Sequence, residues 1–156
     1  MSRQTLDGRT GHRPAPAVAL AGVLWFLGIT ATAGGIALLL GAAQPPADWL
    51  DGIPVVDTWT MPALVLGLGF GGGSLLVGYG VWRRPGWPWF ARIERLTGHH
   101  WAWAGALLLG VGHVVWIVLE LVYLPGPSML QAVYGAVGLA LVTLPMLPAV
   151  RGYLRR

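Results

Sequence analysis

The chain has 156 residues, of which 55% are hydrophobic and only 10% are charged, against about 25% in an ordinary soluble domain. This composition excludes a soluble enzyme, a nucleic-acid-binding domain and an intrinsically disordered chain. Because the sequence contains no cysteine, it also excludes disulfide bonds, thiolate metal sites and thiol redox chemistry.

Four apolar stretches are each long enough to cross a bilayer as a helix, which takes about 20 residues. They cover residues 17–43, 61–82, 101–124 and 129–150. We therefore predict an all-α transmembrane four-helix bundle that forms one domain over residues 17–150. Residues 1–16 are predicted to be a disordered tail, and residues 151–156 a basic tail.

The charged residues predict the topology of the bundle. All ten basic residues are arginines, and they lie before the first span, between the second and third spans, and after the fourth span. Because basic loops stay in the cytoplasm, both termini and the middle loop are predicted to be cytoplasmic. The net charge of +4 is thus a sign of topology rather than of nucleic-acid binding.

The loop of residues 44–60, called the outer loop below, combines three aspartates with two tryptophans and several prolines. Asp48, Asp51 and Asp57 do not have the spacing of an EF-hand, so we predict no metal site there. We interpret this loop as a proline-stiffened lid whose tryptophans rest in the headgroup layer. Such a lid would cover the end of the bundle at which Glu120 lies.

The second span is rich in glycine and presents two faces of small residues at helical spacing. One face consists of Gly67, Gly71, Ser74 and Gly78. Gly69, Gly73 and Gly80 form the other face, so two neighbouring helices are expected to approach this span closely. Ser74 is interpreted as a packing residue that bonds its own backbone rather than as a nucleophile.

The middle loop, Arg83 to His100, interleaves tryptophans with arginines and one glutamate. This pattern is typical of a short segment that lies in the headgroup layer. We expect the stretch from Arg83 to Arg95 to contact anionic lipids.

The third span holds the two ionisable side chains that fall inside the hydrocarbon, His113 and Glu120. Seven residues return to nearly the same helix face, so both share a stripe with Trp116. A charge at the bilayer centre costs about 2.5 to 3.5 kcal/mol on insertion scales, so such groups take partners inside the bundle. Gln131 and Tyr134 lie at the matching depth of the fourth span, and a hydrogen bond from Glu120 to one of them is the pair expected first.

Two interpretations of this stripe stay open. In one, Glu120 and His113 line a polar pocket that opens to the outside and binds a small ligand or exchanges protons. In the other, Glu120 is a protonated or hydrogen-bonded link between helices, and His113 is neutral and bonded to a carbonyl or hydroxyl group. His99 and His100 lie about 20 Å from His113 along the helix, so no haem, metal or other cofactor is predicted.

Several short motifs resemble those of small, uncharacterised four-span integral membrane proteins of high-GC actinobacteria. The motifs are Trp49-Leu-Asp51-Gly52-x-Pro54, Pro62 opening a glycine-rich span that ends Trp82-Arg-Arg-Pro85, Trp116-Ile-x-x-Glu120, and Leu130-Gln131-x-x-Tyr134-Gly-x-x-Gly138. The resemblance covers residues 34–154 and implies a plasma-membrane location, and no activity is attached to it.

Three functions follow in order of expectation. The first is a non-enzymatic accessory or structural membrane subunit, because no catalytic constellation emerges. The second is a small transporter or ligand-binding protein that uses Glu120, with His113, on the outer side, and the third is an intramembrane isomerase or hydrolase. The expected partners are the lipid bilayer and either further copies of the chain or a larger membrane complex. A cavity that connects Glu120 to the outer face would favour the second and third functions.

Overall fold

The computed structural model describes residues 13–51, 53 and 56–156, and the long elements of these residues are all helices. In chain order the helices are α1 (Ala15–Leu39), α2 (Thr60–Arg83), α3 (Ala91–Thr97), α4 (Trp101–Tyr123), α5 (Met129–Met146) and α6 (Pro148–Tyr153). Four of them, α1, α2, α4 and α5, are long and apolar enough to cross a membrane. The predicted all-α architecture with four membrane-spanning helices is confirmed.

The first helix starts and ends slightly before the predicted span. It begins at Ala15, with Pro16 in its first turn, where the missing N–H group costs nothing because first-turn N–H groups have no partner inside the helix. It ends at Leu39, and Gly41 then adopts a φ of 75°, a left-handed conformation that suits glycine. Residues 1–12, which make up most of the tail predicted to be disordered, lie outside the described residues.

The four spans form a ring in which successive spans are neighbours and α1 also packs against α5. Among them α2 is the most buried. The core of the ring is aliphatic and includes Leu20, Leu24 and Leu27 of α1, all fully buried, together with Leu141 of α5 and Leu154 beyond α6.

The fourth span is shorter than predicted and is delimited by specific signals. Ser128 and Gln131 form a capping box at its start, in which the Ser128 hydroxyl accepts from the Gln131 N–H and the Gln131 amide oxygen accepts from the Ser128 N–H. At the other end Leu147 is extended, with φ −60° and ψ 136°, because Pro148 disfavours a helical conformation in the residue before it. The predicted span of residues 129–150 is therefore divided between α5 and α6.

The two ends of the bundle differ in charge. The end called Arg-rich below carries Arg13, Arg83, Arg84 and residues 151–156, whereas the Asp-rich end carries the outer loop and the turn of residues 125–128. At the Arg-rich end the middle loop forms α3, and its Trp89 and Leu96 are 85% and 78% exposed, as suits a segment in the headgroup layer.

The segment after α6 folds back onto the start of α4. The His100 N–H donates to the Leu154 carbonyl at 2.7 Å, and the Arg156 N–H donates to the Gly98 carbonyl at 3.2 Å. These two bonds flank an antiparallel bridge between His99 and Arg155. They attach residues 154–156 to the middle loop.

Candidate functional site

A partly open cavity of about 340 Å³ lies at the Asp-rich end, under the outer loop. This volume falls in the range of small-molecule sites, about 300 to 1,000 Å³. Three segments supply its mostly apolar lining, which includes Ile53 and Val56 of the outer loop, Trp59 and Val65 around the start of α2, and Trp116, Glu120 and Tyr123 of α4. The outer loop therefore covers the end of α4 that carries Glu120.

Glu120 is the only carboxyl group in the lining of this cavity among the described residues. Its Oε1 accepts a hydrogen bond of 2.5 Å from the Trp116 indole nitrogen, four residues earlier on the same helix face. The Gln131 side chain is the next polar neighbour of the carboxyl group. The carboxyl group is thus held at the wall of an apolar cavity by a donor from its own helix.

The partners expected first for Glu120 are arranged differently. Gln131 is close to the carboxyl group, but its amide oxygen accepts from the Ser128 N–H at 2.8 Å as part of the capping box. Tyr134 instead packs its ring against His113, with ring centroids 6.0 Å apart, and against Phe26. The hydrogen-bond donor is Trp116, which the sequence analysis placed on the stripe without assigning it this role.

His113 does not share the cavity with Glu120. Its side chain is buried at 1% exposure, and neither ring nitrogen has a hydrogen-bond partner within the part of the chain that the structure describes. The expected bond to a carbonyl or hydroxyl group is therefore not formed. Phe70 packs edge-on against both His113 and Trp116, at centroid distances of 4.9 and 5.9 Å, so its ring lies between the histidine and the cavity.

Trp59 is a cavity residue that sequence reasoning missed. Its indole nitrogen is buried and has no hydrogen-bond partner among residues 13–51, 53 and 56–156, although its ring lines the cavity. The sequence assigned both tryptophans of the outer loop to the headgroup layer, because nothing in the local pattern distinguishes Trp59 from Trp49. The cavity therefore combines one acceptor, Glu120, with one unused donor.

The small residues of α2 lie on two faces that contact different helices. A Cβ atom at Gly71 would lie 2.8 Å from the Thr32 backbone nitrogen of α1, and Gly67 and Gly78 face the same helix. Gly73 and Gly80 face α4 instead, where a Cβ would meet Leu109 and Trp101. Gly69, expected to share that second face, would meet only Val65 of its own helix at 4.0 Å.

Ser74 is fully buried, and its hydroxyl has no hydrogen-bond partner among the described side chains and backbone. The expected bond to its own backbone is therefore absent. Ser74 belongs to the helix-packing face and does not line the cavity.

The histidines at the start of α4 have structural partners. His100 is 1% exposed, its Nδ1 accepts from the Ala102 N–H, and its Nε2 lies 3.1 Å from the Pro85 carbonyl, so the ring is neutral with the proton on Nε2. Burial lowers the pKa of His100 because the charged imidazolium would lose its hydration. No group of three or more potential metal ligands occurs in the described part of the chain.

The fold and the site together define a multi-pass membrane protein with one cavity of ligand size at its Asp-rich end. The chain matches no protein-family model, no curated protein and no solved structure.

Proposed function

We propose that this chain is a multi-pass plasma-membrane protein that binds an apolar organic cation in the cavity at its Asp-rich end. In this proposal the Asp-rich end faces outwards and both termini are cytoplasmic. The distribution of arginines supports the orientation, because residues 14–82 and 96–150 contain no basic side chain. The resemblance to small actinobacterial membrane proteins supports the plasma-membrane location.

The observation that carries the proposal is the position of Glu120 in the wall of an apolar cavity. Apart from this carboxyl group and the indole nitrogens, the lining offers mainly hydrocarbon and aromatic surface. A ligand that matches it must bury apolar area and present a positive or strongly donating group to the carboxylate. Asp48, Asp51 and Asp57 in the covering loop add negative charge at the same end, which favours the approach of cations.

Binding near the outer face fits the geometry better than passage or catalysis. Phe70 and His113 lie beyond Trp116 and close the way into the bundle. A transport cycle would require the Phe70 ring to move, and an acid-base reaction would require His113 and Glu120 to reach one substrate atom. The non-enzymatic accessory subunit, the function expected first from the sequence, is the alternative that the test below can select.

The test compares a naphthylmethylammonium ion with its uncharged isostere naphthylmethanol, using equilibrium dialysis of the detergent-purified protein. We expect the wild-type protein to bind the ammonium ion more tightly than the alcohol. Glu120→Gln should weaken ammonium binding by about 10- to 100-fold, because hydrogen bonds to charged groups contribute about 1.5 to 3 kcal/mol. The same variant should leave binding of the alcohol within about threefold of the wild type, since apolar burial is unchanged.

Asp57→Asn is the matched control, since it removes one negative charge from an exposed residue at the same end without altering the lining. We expect it to retain ammonium binding within about threefold at physiological salt, where the Debye length is about 8 Å. Equal binding of both ligands, or equal loss in Asp57→Asn and Glu120→Gln, would contradict the proposal and favour an accessory subunit.

A further inference from the structure

Two adjoining cavities of about 260 and 240 Å³ lie at the Arg-rich end and share Arg84 and Tyr153. The first is lined by Arg84, His100, Tyr153, Leu154, Arg155 and Arg156. The second is lined by Arg13, Trp82, Arg83, Arg84 and Tyr153. We call the two together the arginine cleft.

The arginine cleft is assembled from three separate segments of the chain. Arg13 precedes α1, Arg83 and Arg84 end α2, and Arg155 and Arg156 follow α6. Half of the ten arginines of the sequence therefore converge on one concave surface. Such convergence of like charges is unfavourable by itself and is relieved by a bound anion.

Acidic side chains do little to neutralise this charge. Within the described ranges, the carboxylate that pairs with a cleft arginine is Glu94, whose Oε1 lies 3.4 Å from Arg156. The same oxygen also accepts from the Trp101 N–H and lies 3.9 Å from His100. One shared carboxylate thus faces a cleft that carries five guanidinium groups.

Arg84 is held in place by contacts that leave donors unused. Its guanidinium lies 4.4 Å above the Tyr153 ring and donates to the Tyr153 carbonyl at 3.1 Å. Its backbone φ of 50° is left-handed, and among the described residues other than glycine no further φ is positive. Glycine is the usual residue at such a helix end, so an arginine there occupies a position that its backbone does not favour.

Arg13 is oriented in the same way, because its guanidinium lies 4.1 Å above the Trp82 ring. Stacking occupies the flat face of a guanidinium group, whereas its five N–H donors point outward in the plane. Two pre-oriented forks therefore face the cleft, and a fork of this shape matches the oxygens of a phosphate group.

We propose that the arginine cleft binds the headgroup of a phospholipid with two phosphate groups, with one phosphate in each cavity and Arg84 between them. A lipid is favoured over a soluble phosphate because the cleft lies at the ends of α2 and α4, beside the exposed apolar side chains of Trp89 and Leu96. These side chains suit the acyl boundary of the same leaflet. This site is distinct from a diffuse attraction along Arg83 to Arg95, and it does not depend on the cavity at the Asp-rich end.

The test measures lipid binding to the full chain in a neutral detergent, with thermal unfolding and microscale thermophoresis as readouts. The probes are diphosphatidylglycerol, phosphatidylglycerol at equal phosphate concentration, and inorganic pyrophosphate. We expect diphosphatidylglycerol to bind at least about tenfold more tightly than phosphatidylglycerol and to raise the melting temperature, and we expect pyrophosphate to have no such effect.

Two variants distinguish the cleft from general surface charge. Arg83→Gln, an exposed residue of the cleft, should weaken diphosphatidylglycerol binding about fivefold, the contribution of one arginine near an anionic surface. Arg92→Gln removes the same charge from the same loop outside the cleft and should leave binding within about twofold of the wild type. Arg84→Gly should cause the largest loss, because it removes the shared side chain at a backbone position that glycine accepts.

Equal binding of the two lipids, or equal losses in Arg83→Gln and Arg92→Gln, would overturn the proposal in favour of diffuse charge attraction. Equal stabilisation by pyrophosphate would also overturn it, since the ligand would then be a soluble phosphate compound.

Discussion

Two polar side chains, His113 and Ser74, are buried inside the bundle without hydrogen-bond partners in the described residues. A buried polar group left unsatisfied costs about 1 to 3 kcal/mol. Neither side chain lines the cavity at the Asp-rich end, so neither gains a ligand contact there that would offset this cost. Both positions therefore lower the stability of the bundle relative to apolar residues of similar size.

We accordingly predict that His113→Leu and Ser74→Ala each raise the free energy of unfolding by about 1 kcal/mol, because each removes an unpaired polar group from the interior. The measurement is thermal unfolding of the purified variants in detergent. Gln131→Leu provides the contrast, since Gln131 is buried but bonded in the capping box, and its loss should lower stability by about 0.5 to 2 kcal/mol. A decrease in His113→Leu as large as that in Gln131→Leu would show that the imidazole has a partner.

At the scale of the helix, α2 contains a π-helical stretch, Val65–Gly72, that connects the two sites of interest in its interior. Its first residue, Val65, lines the cavity, and its Phe70 packs against His113. Wider turns of this kind are rare in helices and occur frequently at functional sites. The stretch ends within a run of three glycines, Gly71 to Gly73, each of which has different surroundings.

These three glycines allow a prediction with internal controls. Gly71→Ala should lower stability by about 1 to 3 kcal/mol, because the new methyl group would meet the Thr32 backbone, which cannot move aside. Gly72→Ala, with no neighbour within 4 Å, should leave stability unchanged or raise it by up to about 1 kcal/mol through helix propensity. Gly73→Ala should fall between them, because the end of the Leu109 side chain, 3.2 Å away, can shift.

Thermal unfolding in detergent measures all three variants. If Gly71→Ala and Gly72→Ala melted at the same temperature, the close approach of α1 and α2 at Thr32 would be wrong.

Much of this element could be predicted from the sequence, because a helical period of 3.6 residues already assigns Gly67, Gly71 and Gly78 to one face. The assignment of Gly69 to the opposite face fails because Gly69 lies in the π-helical stretch, where the winding departs from that period. The donor to Glu120 was also beyond the sequence pattern. Trp116 and Gln131 both lie within reach of the carboxyl group, and the choice depends on side-chain rotamers and on the capping role of Gln131.

At the scale of the whole molecule, charge separates along the bundle axis. Arginines gather at one end, whereas Asp48, Asp51, Asp57 and Glu120 lie at the other. Composition and arginine spacing were sufficient to predict four spans and this separation. They could not predict the cavity, because it depends on the path by which the outer loop crosses over α4.

The proposed orientation predicts which positions react with an impermeant thiol reagent added to intact cells. Asp51→Cys and Pro127→Cys should be labelled, because the Asp-rich end faces outwards, whereas Trp87→Cys in the middle loop should be protected until the cells are lysed. The cysteine-free sequence gives no background labelling, and the unmodified chain serves as the control. Labelling of Trp87→Cys in intact cells would reverse the orientation.

The pairing of α1 with α5 also has a consequence for the order of events during synthesis. The α1 and α2 helices can pair once Arg83 has emerged, whereas α5 is complete only at Met146, 63 residues later. At about 5 to 20 residues per second, that interval lasts about 3 to 13 seconds. Throughout it the α1–α2 hairpin must persist without its later neighbours, held where Gly35 meets Gly67 and Thr32 meets Gly71. Bulky residues at this contact should therefore lower the yield of inserted protein in cells, beyond their effect on the melting temperature of the finished bundle.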